Sequence, residues 1–158
     1  MVTRWPGPSY EIRVSFDAPL DFVYRWCTDF TPQDSQYETE EYQRRILRRS
    51  SREVVYEDLE DTKDGWVWSR HVVRLLPPAH WRSDSVGTLR AYALDYRLKR
   101  LQGNRTQLTL KARRRPYGIG KKNPRKAQWE RSTTAAWKSF ARALERDYQK
   151  EGARPTEK

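Results

Sequence analysis

The sequence predicts an α+β domain in which a curved antiparallel sheet wraps a long C-terminal helix. Three observations lead there. An alternating segment, Ser9 to Phe16, is followed at once by a short helical stretch. The chain from Arg44 to Pro116 reads as successive strands broken by turn residues. The last long segment, from about Pro124 to Glu151, carries one aromatic stripe at helical spacing. A run of strands with helices set apart at its ends is the pattern of an α+β domain.

The elements follow in order. Residues 1–8 hold Pro6, Gly7 and Pro8 and read as an irregular lead-in. Tyr10, Ile12, Val14 and Phe16 alternate with Glu11, Arg13 and Ser15, the period of a half-buried strand. Pro19 suits the first turn of a helix, where its missing N–H costs nothing. Phe22, Val23, Trp26 and Cys27 continue that helix, and a second weak helical piece is expected over Gln33–Tyr42.

Strands are then expected at Arg44–Ser50 and Arg52–Leu59, with Lys63-Asp64-Gly65 as a hairpin turn into Trp66–Leu76. Pro77-Pro78 ends that strand, and His80–Val86 is a shorter one that Gly87 breaks. Thr88–Leu101 puts Tyr92, Leu94, Tyr96 and Leu98 on one side. Gln102-Gly103-Asn104 turns the chain into Arg105–Arg115, with Leu108, Leu110 and Ala112 on one side.

On the final helix, Trp129, Thr133, Ala136, Trp137, Phe140, Leu144 and Tyr148 share a face. At ~1.5 Å per residue this helix is roughly 40 Å long, enough to cross a small domain. Residues 152–158 read as a frayed tail, and the whole of 1–158 as one domain.

Composition narrows the function classes. The chain has 158 residues, a net charge of +11 and a hydrophobic content of only 36%. Aromatics reach 13%, with seven Trp and nine Tyr, so the core relies on large rings. One cysteine, Cys27, excludes an intramolecular disulfide and a cysteine-rich zinc site. No apolar run approaches the ~18 residues of a membrane span, and residues 1–8 lack the apolar stretch of a signal peptide. A cytoplasmic location is expected, and no cofactor or metal is called for.

The stretch from Tyr10 through Asp17-Ala18-Pro19-Leu20-Asp21-Phe22-Val23-Tyr24-Arg25-Trp26 resembles the SRPBCC superfamily. That group joins START-type lipid-transfer domains, birch-pollen-allergen-like proteins, polyketide cyclases and coenzyme-Q-binding proteins. A first strand, an Ala-Pro step and a short helix with an aromatic-aliphatic pair are typical of it, and the ring-bearing last helix agrees. The resemblance implies the helix-grip fold, about seven strands around the C-terminal helix, and a cavity for a small hydrophobic ligand. It implies no universal catalytic motif.

Candidate ligand-binding residues are Trp26, Trp68, Arg70, Tyr92, Tyr96, Trp129, Thr133, Trp137 and Phe140. Rings with polar tips suit a polar-edged cavity better than a dry core. One ambiguity stays open in Trp66–Leu76. Trp66, Trp68, Arg70 and Val72 share one face, Val67, Ser69, His71 and Val73 the other, and both are partly apolar. With the first set inward, Arg70 anchors a ligand anion. With the second inward, His71 is placed for acid–base work. His80 is expected near a strand start, and two histidines without matched acids make a poor metal site. Cys27 reads as a small buried residue.

Three functions compete. The leading one is binding, transport or sensing of a small hydrophobic or aromatic molecule in a cavity between sheet and helix. The second is a polyketide cyclase- or dehydratase-like enzyme using that cavity, with His71 or Arg70 and Tyr92 or Tyr96 in reach of a carbonyl. The third is an RNA- or ribosome-associated basic protein using Arg44–Arg52 and the basic loop Arg113–Lys126, which holds no acid. Nucleic acid is the less favoured partner, because acids crowd Glu57–Asp64 beside those arginines. The catalytic residues and the oligomeric state are not read from the sequence.

Overall fold

The computed structural model describes residues 8–38, 41–63, 65–116 and 122–152. Seven strands form one antiparallel sheet: β1 (Ser9–Phe16), β2 (Tyr42–Arg49), β3 (Glu53–Thr62), β4 (Gly65–Leu76), β5 (His80–Gly87), β6 (Arg90–Leu101) and β7 (Arg105–Pro116). Their spatial order is β1-β7-β6-β5-β4-β3-β2. Every step from β2 to β7 is a hairpin between neighbours, and β1 closes onto β7. The helix α1 (Leu20–Cys27) and a six-residue 3-10 turn (Pro32–Tyr37) follow β1, and the helix α2 (Lys126–Gly152) comes last.

Period-2 alternation becomes the two faces of this sheet. Tyr10, Ile12, Val14 and Phe16 are all buried, as are Leu108, Leu110 and Ala112 opposite them on β7. The same face continues through Leu94 and Leu98 on β6 and Val73 on β4. These side chains define the concave side. α1 buries Leu20, Phe22 and Val23 there, and α2 buries Trp129, Ala141 and Leu144. Fully burying one such aliphatic or aromatic side chain stabilises by about 1.5–3 kcal/mol.

α2 is fastened as well as buried. Its Glu130 carboxylate accepts the Glu11 N–H at 3.3 Å, and Glu145 accepts the Asp17 N–H at 2.9 Å. Both donors belong to the outer edge of the sheet or its end, so the helix covers groups that would otherwise invite another strand. The Trp26 indole donates to Asp147 at 2.9 Å, tying α1 to the same helix. Tyr10 stacks on Trp129 with centroids 4.7 Å apart.

Several boundaries differ from the sequence reading. The helical piece expected over Gln33–Tyr42 is the shorter turn Pro32–Tyr37, and Tyr42 already belongs to β2. The 3-10 turn has no buried residue, so no apolar face draws it into a longer helix. β3 runs on to Thr62, because its end pairs with Gly65. Gly65 has φ +109°, a conformation that glycine adopts without strain. Gly87 does end β5, and a side chain there would collide with the Trp68 carbonyl at 2.4 Å. β6 starts at Arg90 and α2 at Lys126. The lead-in through Gly7, the segment 117–121 with Gly118 and Gly120, and the tail 153–158 lie outside the described residues. No described helix is long and apolar enough to cross a membrane.

Candidate functional site

The concave face is not uniformly apolar. One register row crosses six strands: Arg114 (β7) faces Tyr92 (β6), which faces Ser85 (β5), His71 (β4), Tyr56 (β3) and Ile46 (β2) in turn. A second row pairs Ser69 with Asp58 and Asp58 with Arg44. Polar side chains thus occupy one half of the concavity, while Val54, Val73, Trp81 and Leu98 pack the other.

The polar half is left open. An inner lobe of about 230 Å³ lies against the sheet and is lined by His71, Ser83, Ser85, Tyr92 and Tyr96, among others. A second lobe of about 480 Å³ lies under α2, between Trp26, Thr133, Ala136, Trp137 and Phe140. Both are bounded by Phe30, Arg44, Tyr56, Arg90 and Tyr96, so they adjoin. The reason for the gap is local. Where α2 passes over the polar rows it carries Ser132, Thr133 and Ala136, too short to reach the sheet. Farther along, Leu144 closes the space completely.

Arg44 organises the floor. Its side chain is 6% exposed. Its Nε donates to Asp58 Oδ1 at 2.8 Å and its Nη2 to Asp58 Oδ2 at 2.9 Å, a two-pronged bond. Its Nη1 donates to Asp34 at 2.6 Å, and Nη2 also reaches the Tyr42 hydroxyl at 3.3 Å. The guanidinium carbon stands 4.1 Å from the centroid of the Tyr56 ring. Burial works against the charged guanidinium, and the Asp58 bond and charge more than offset it. Tyr42 donates in turn to Glu38 at 3.2 Å.

Tyr56 carries this order to the histidine. Its ring stacks on His71 with centroids 4.5 Å apart and planes 9° from parallel. His71 Nε2 lies 3.0 Å from Ser69 Oγ. Burial pushes His71 down to about 4, against the pull of Asp58, so the imidazole is neutral at physiological pH. Burial has the opposite effect on carboxyls. It raises Glu38 to about 7 and Asp29 to about 6. Ser83 Oγ is buried in the inner lobe with no hydrogen-bond partner among the described residues.

The candidate residues separate into three groups. Trp26, Tyr96, Thr133, Trp137 and Phe140 border the lobe under α2, and Tyr92 borders the inner one. Trp129 packs in the core against Tyr10, away from both lobes. Arg70 and Trp68 fall on the outer side of β4. Arg70 is bound to Glu57 at 2.6 Å, its guanidinium 5.7 Å from the Trp68 ring centroid. Trp68 still borders the inner lobe, and its backbone carbonyl accepts from the Thr88 N–H at 2.9 Å. The open face of β4 is therefore decided for Val67, Ser69, His71 and Val73, and Arg70 does not point into the cavity.

His80 pairs at 3.0 Å with Asp95, which Arg82 and Arg97 also hold on the outer surface. Cys27 borders the larger lobe as a free thiol, and burial pushes its pKa up, which disfavours a thiolate. No cluster of three or more His, Cys, Asp or Glu among the described residues is placed to hold a metal. The sequence reading missed Arg44, Asp58 and Tyr56 as site residues. It read Arg44 only as part of the arginine-rich segment Arg44–Arg52, although Tyr42, Arg44 and Ile46 share the period-2 parity of one strand face.

A sheet of this order, with its last helix laid across the concave side, has counterparts among solved structures. The chain has the helix-grip fold. A protein from Thermus thermophilus superposes with a TM-score of 0.71 at 14% identity, covering 92% of this chain and 100% of that one. The Zhui aromatase/cyclase from Streptomyces sp. R1128 superposes at 0.67 with 17% identity, covering 95% and 98%. A START superfamily protein from Mycobacterium smegmatis gives 0.65 at 14%, covering 91% and 99%. At such identities the likeness is one of fold. Scans against family models and against curated proteins return no match. Helix-grip architecture accounts for the open space, since a sheet bent around one helix need not fill its interior.

Proposed function

We propose that this helix-grip chain binds a small aromatic or otherwise hydrophobic molecule in the two-lobed space beneath α2. One observation carries the reading: rings wall the space while its floor offers oriented polar groups. Tyr96, Trp137, Phe140 and Phe30 supply flat surfaces. Ser83 Oγ and the neutral His71 supply hydrogen-bonding atoms to a carbonyl or hydroxyl of the guest. Ligand sites are typically apolar clefts with a few convergent polar groups. An aromatase/cyclase and a START superfamily protein share the fold, which is compatible with such a guest.

A second reading is a cyclase- or dehydratase-like enzyme in the same space, and Glu38 favours it. A carboxyl held near 7 can exchange its proton at physiological pH, as general acid–base chemistry asks. His71 argues the other way, because a base held near 4 abstracts protons weakly. Binding is therefore the primary reading.

The test is titration with the neutral fluorophore N-phenyl-naphthylamine, with Ala136→Phe as the plugged variant. Saturable binding to the native chain, weakened at least about tenfold in the variant, supports the reading. Equal binding by both proteins, or none by the native chain, overturns it.

A further inference from the structure

Two guanidiniums on the concave face differ from Arg44 in having no carboxylate partner among the described residues. Arg114 lies directly opposite Tyr92 on the neighbouring strand, and Arg90 precedes Tyr92 by two residues on the same face. Their guanidinium carbons stand 5.9 Å and 5.6 Å from the centroid of the Tyr92 ring. Tyr92 and Arg90 border the inner lobe, and Arg114 stands against the same ring. Arg90 borders both lobes.

Neither arginine has a hydrogen bond or ion pair to a carboxylate among the described residues. The sequence from Arg113 to Lys126 holds no acidic residue that could supply one. Arg114 Nε is buried and lacks any acceptor among the described residues. A buried, unanswered donor on a cation is unfavourable by more than a neutral one. Two cations held near one ring also repel each other. An oxyanion between them satisfies the donor and relieves the repulsion, and guanidinium forks suit carboxylate, sulfonate and phosphate oxygens.

We propose that Arg90 and Arg114 form an anion subsite, and that the ligand is amphipathic, with an aromatic or apolar body in the lobes and one oxyanion on these two side chains. The subsite deepens the binding reading and rests on it. Arg44 is excluded from the role because Asp58 and Asp34 already occupy its donors.

The experiment uses two fluorophores that differ chiefly by the anion: N-phenyl-naphthylamine and anilinonaphthalene sulfonate. Dissociation constants are measured for the native chain, Arg90→Gln, Arg114→Gln, the double variant, and Arg100→Gln as a control of equal charge change on the exposed far end of β6. The readout is the ratio of the sulfonate constant to the neutral constant. Each single variant should raise it about fivefold and the double variant more than about tenfold, as expected for lost charge-assisted hydrogen bonds. Arg114→Lys, which keeps the charge but not the fork, should fall between the native chain and Arg114→Gln. Arg100→Gln should leave the ratio within about twofold, since screened surface charge acts weakly. If the neutral probe binds and the double variant moves the ratio no more than the control does, the anion subsite is refuted and the cavity reading stands. If neither probe binds the native chain, both fall together.

Discussion

Arg44→Met tests the claim that one buried guanidinium holds the floor of the cavity together. The substitution keeps most of the side-chain volume and deletes the donors to Asp58, Asp34 and Tyr42. Arg44 is 6% exposed and Asp58 10%, so water does little to compensate the carboxylate left behind. Removing one partner of a buried pair costs about 3–5 kcal/mol, because the remaining charge is stranded. For a chain of this length each kcal/mol moves Tm by about 2–4 °C, so a drop of roughly 10 °C is expected. Thermal unfolding reads the Tm, and urea unfolding followed by tryptophan fluorescence reads the free-energy loss, with an unchanged m-value showing that the transition keeps its character. The double variant Arg44→Met with Asp58→Leu removes both charges of the two-pronged bond. It should recover at least about 2 kcal/mol of the loss, since replacing both partners of a buried pair is far milder than breaking it. A loss below about 1 kcal/mol in the single variant, or no recovery in the double, would show that Arg44 is solvated and organises nothing.

Three further outcomes follow from the same geometry. His71 is held at about 4, below its ordinary 6.5, so the unfolded chain binds its proton more readily and stability is lost as pH falls through that window. The stability difference between native chain and His71→Gln should therefore shrink by up to about 3 kcal/mol between neutral pH and the lower bound of the window, and a pH-independent difference would contradict a buried neutral imidazole. Glu38 is raised from 4.5 to about 7, so its contribution has the opposite sign: stability is lost as pH rises through that range, and Glu38→Gln should gain on the native chain above it in denaturation titrations. Leu144→Ala empties the sealed part of the core under α2, where the side chain is 0% exposed, and should cost about 2–5 kcal/mol in the same assay.

The order of elements was legible because it rests on local periodicity. Tyr10 to Phe16 must bury one side of a strand, and Tyr92 to Leu98 another, whatever surrounds them. The stripe from Trp129 to Tyr148 required a helix lying on something apolar, and only the sheet was large enough to receive it. The resemblance of Tyr10–Trp26 to SRPBCC proteins pointed to the same fold that the solved structures share.

What only the tertiary structure decided is which polar residues face inward. β4 alternates Trp66, Trp68 and Arg70 with Val67, Ser69 and His71, and composition alone cannot rank those faces. Register settled it: His71 falls opposite Tyr56 on one side and Ser85 on the other, both on the concave row. Arg44 shows the same physics more sharply. A charge is buried only when its partners are already in place, and here they come from Asp58 across a hairpin and Asp34 in a separate turn. Alternation in sequence tells a strand that it has two sides, but the pairing that neutralises a buried cation exists only once distant segments have met.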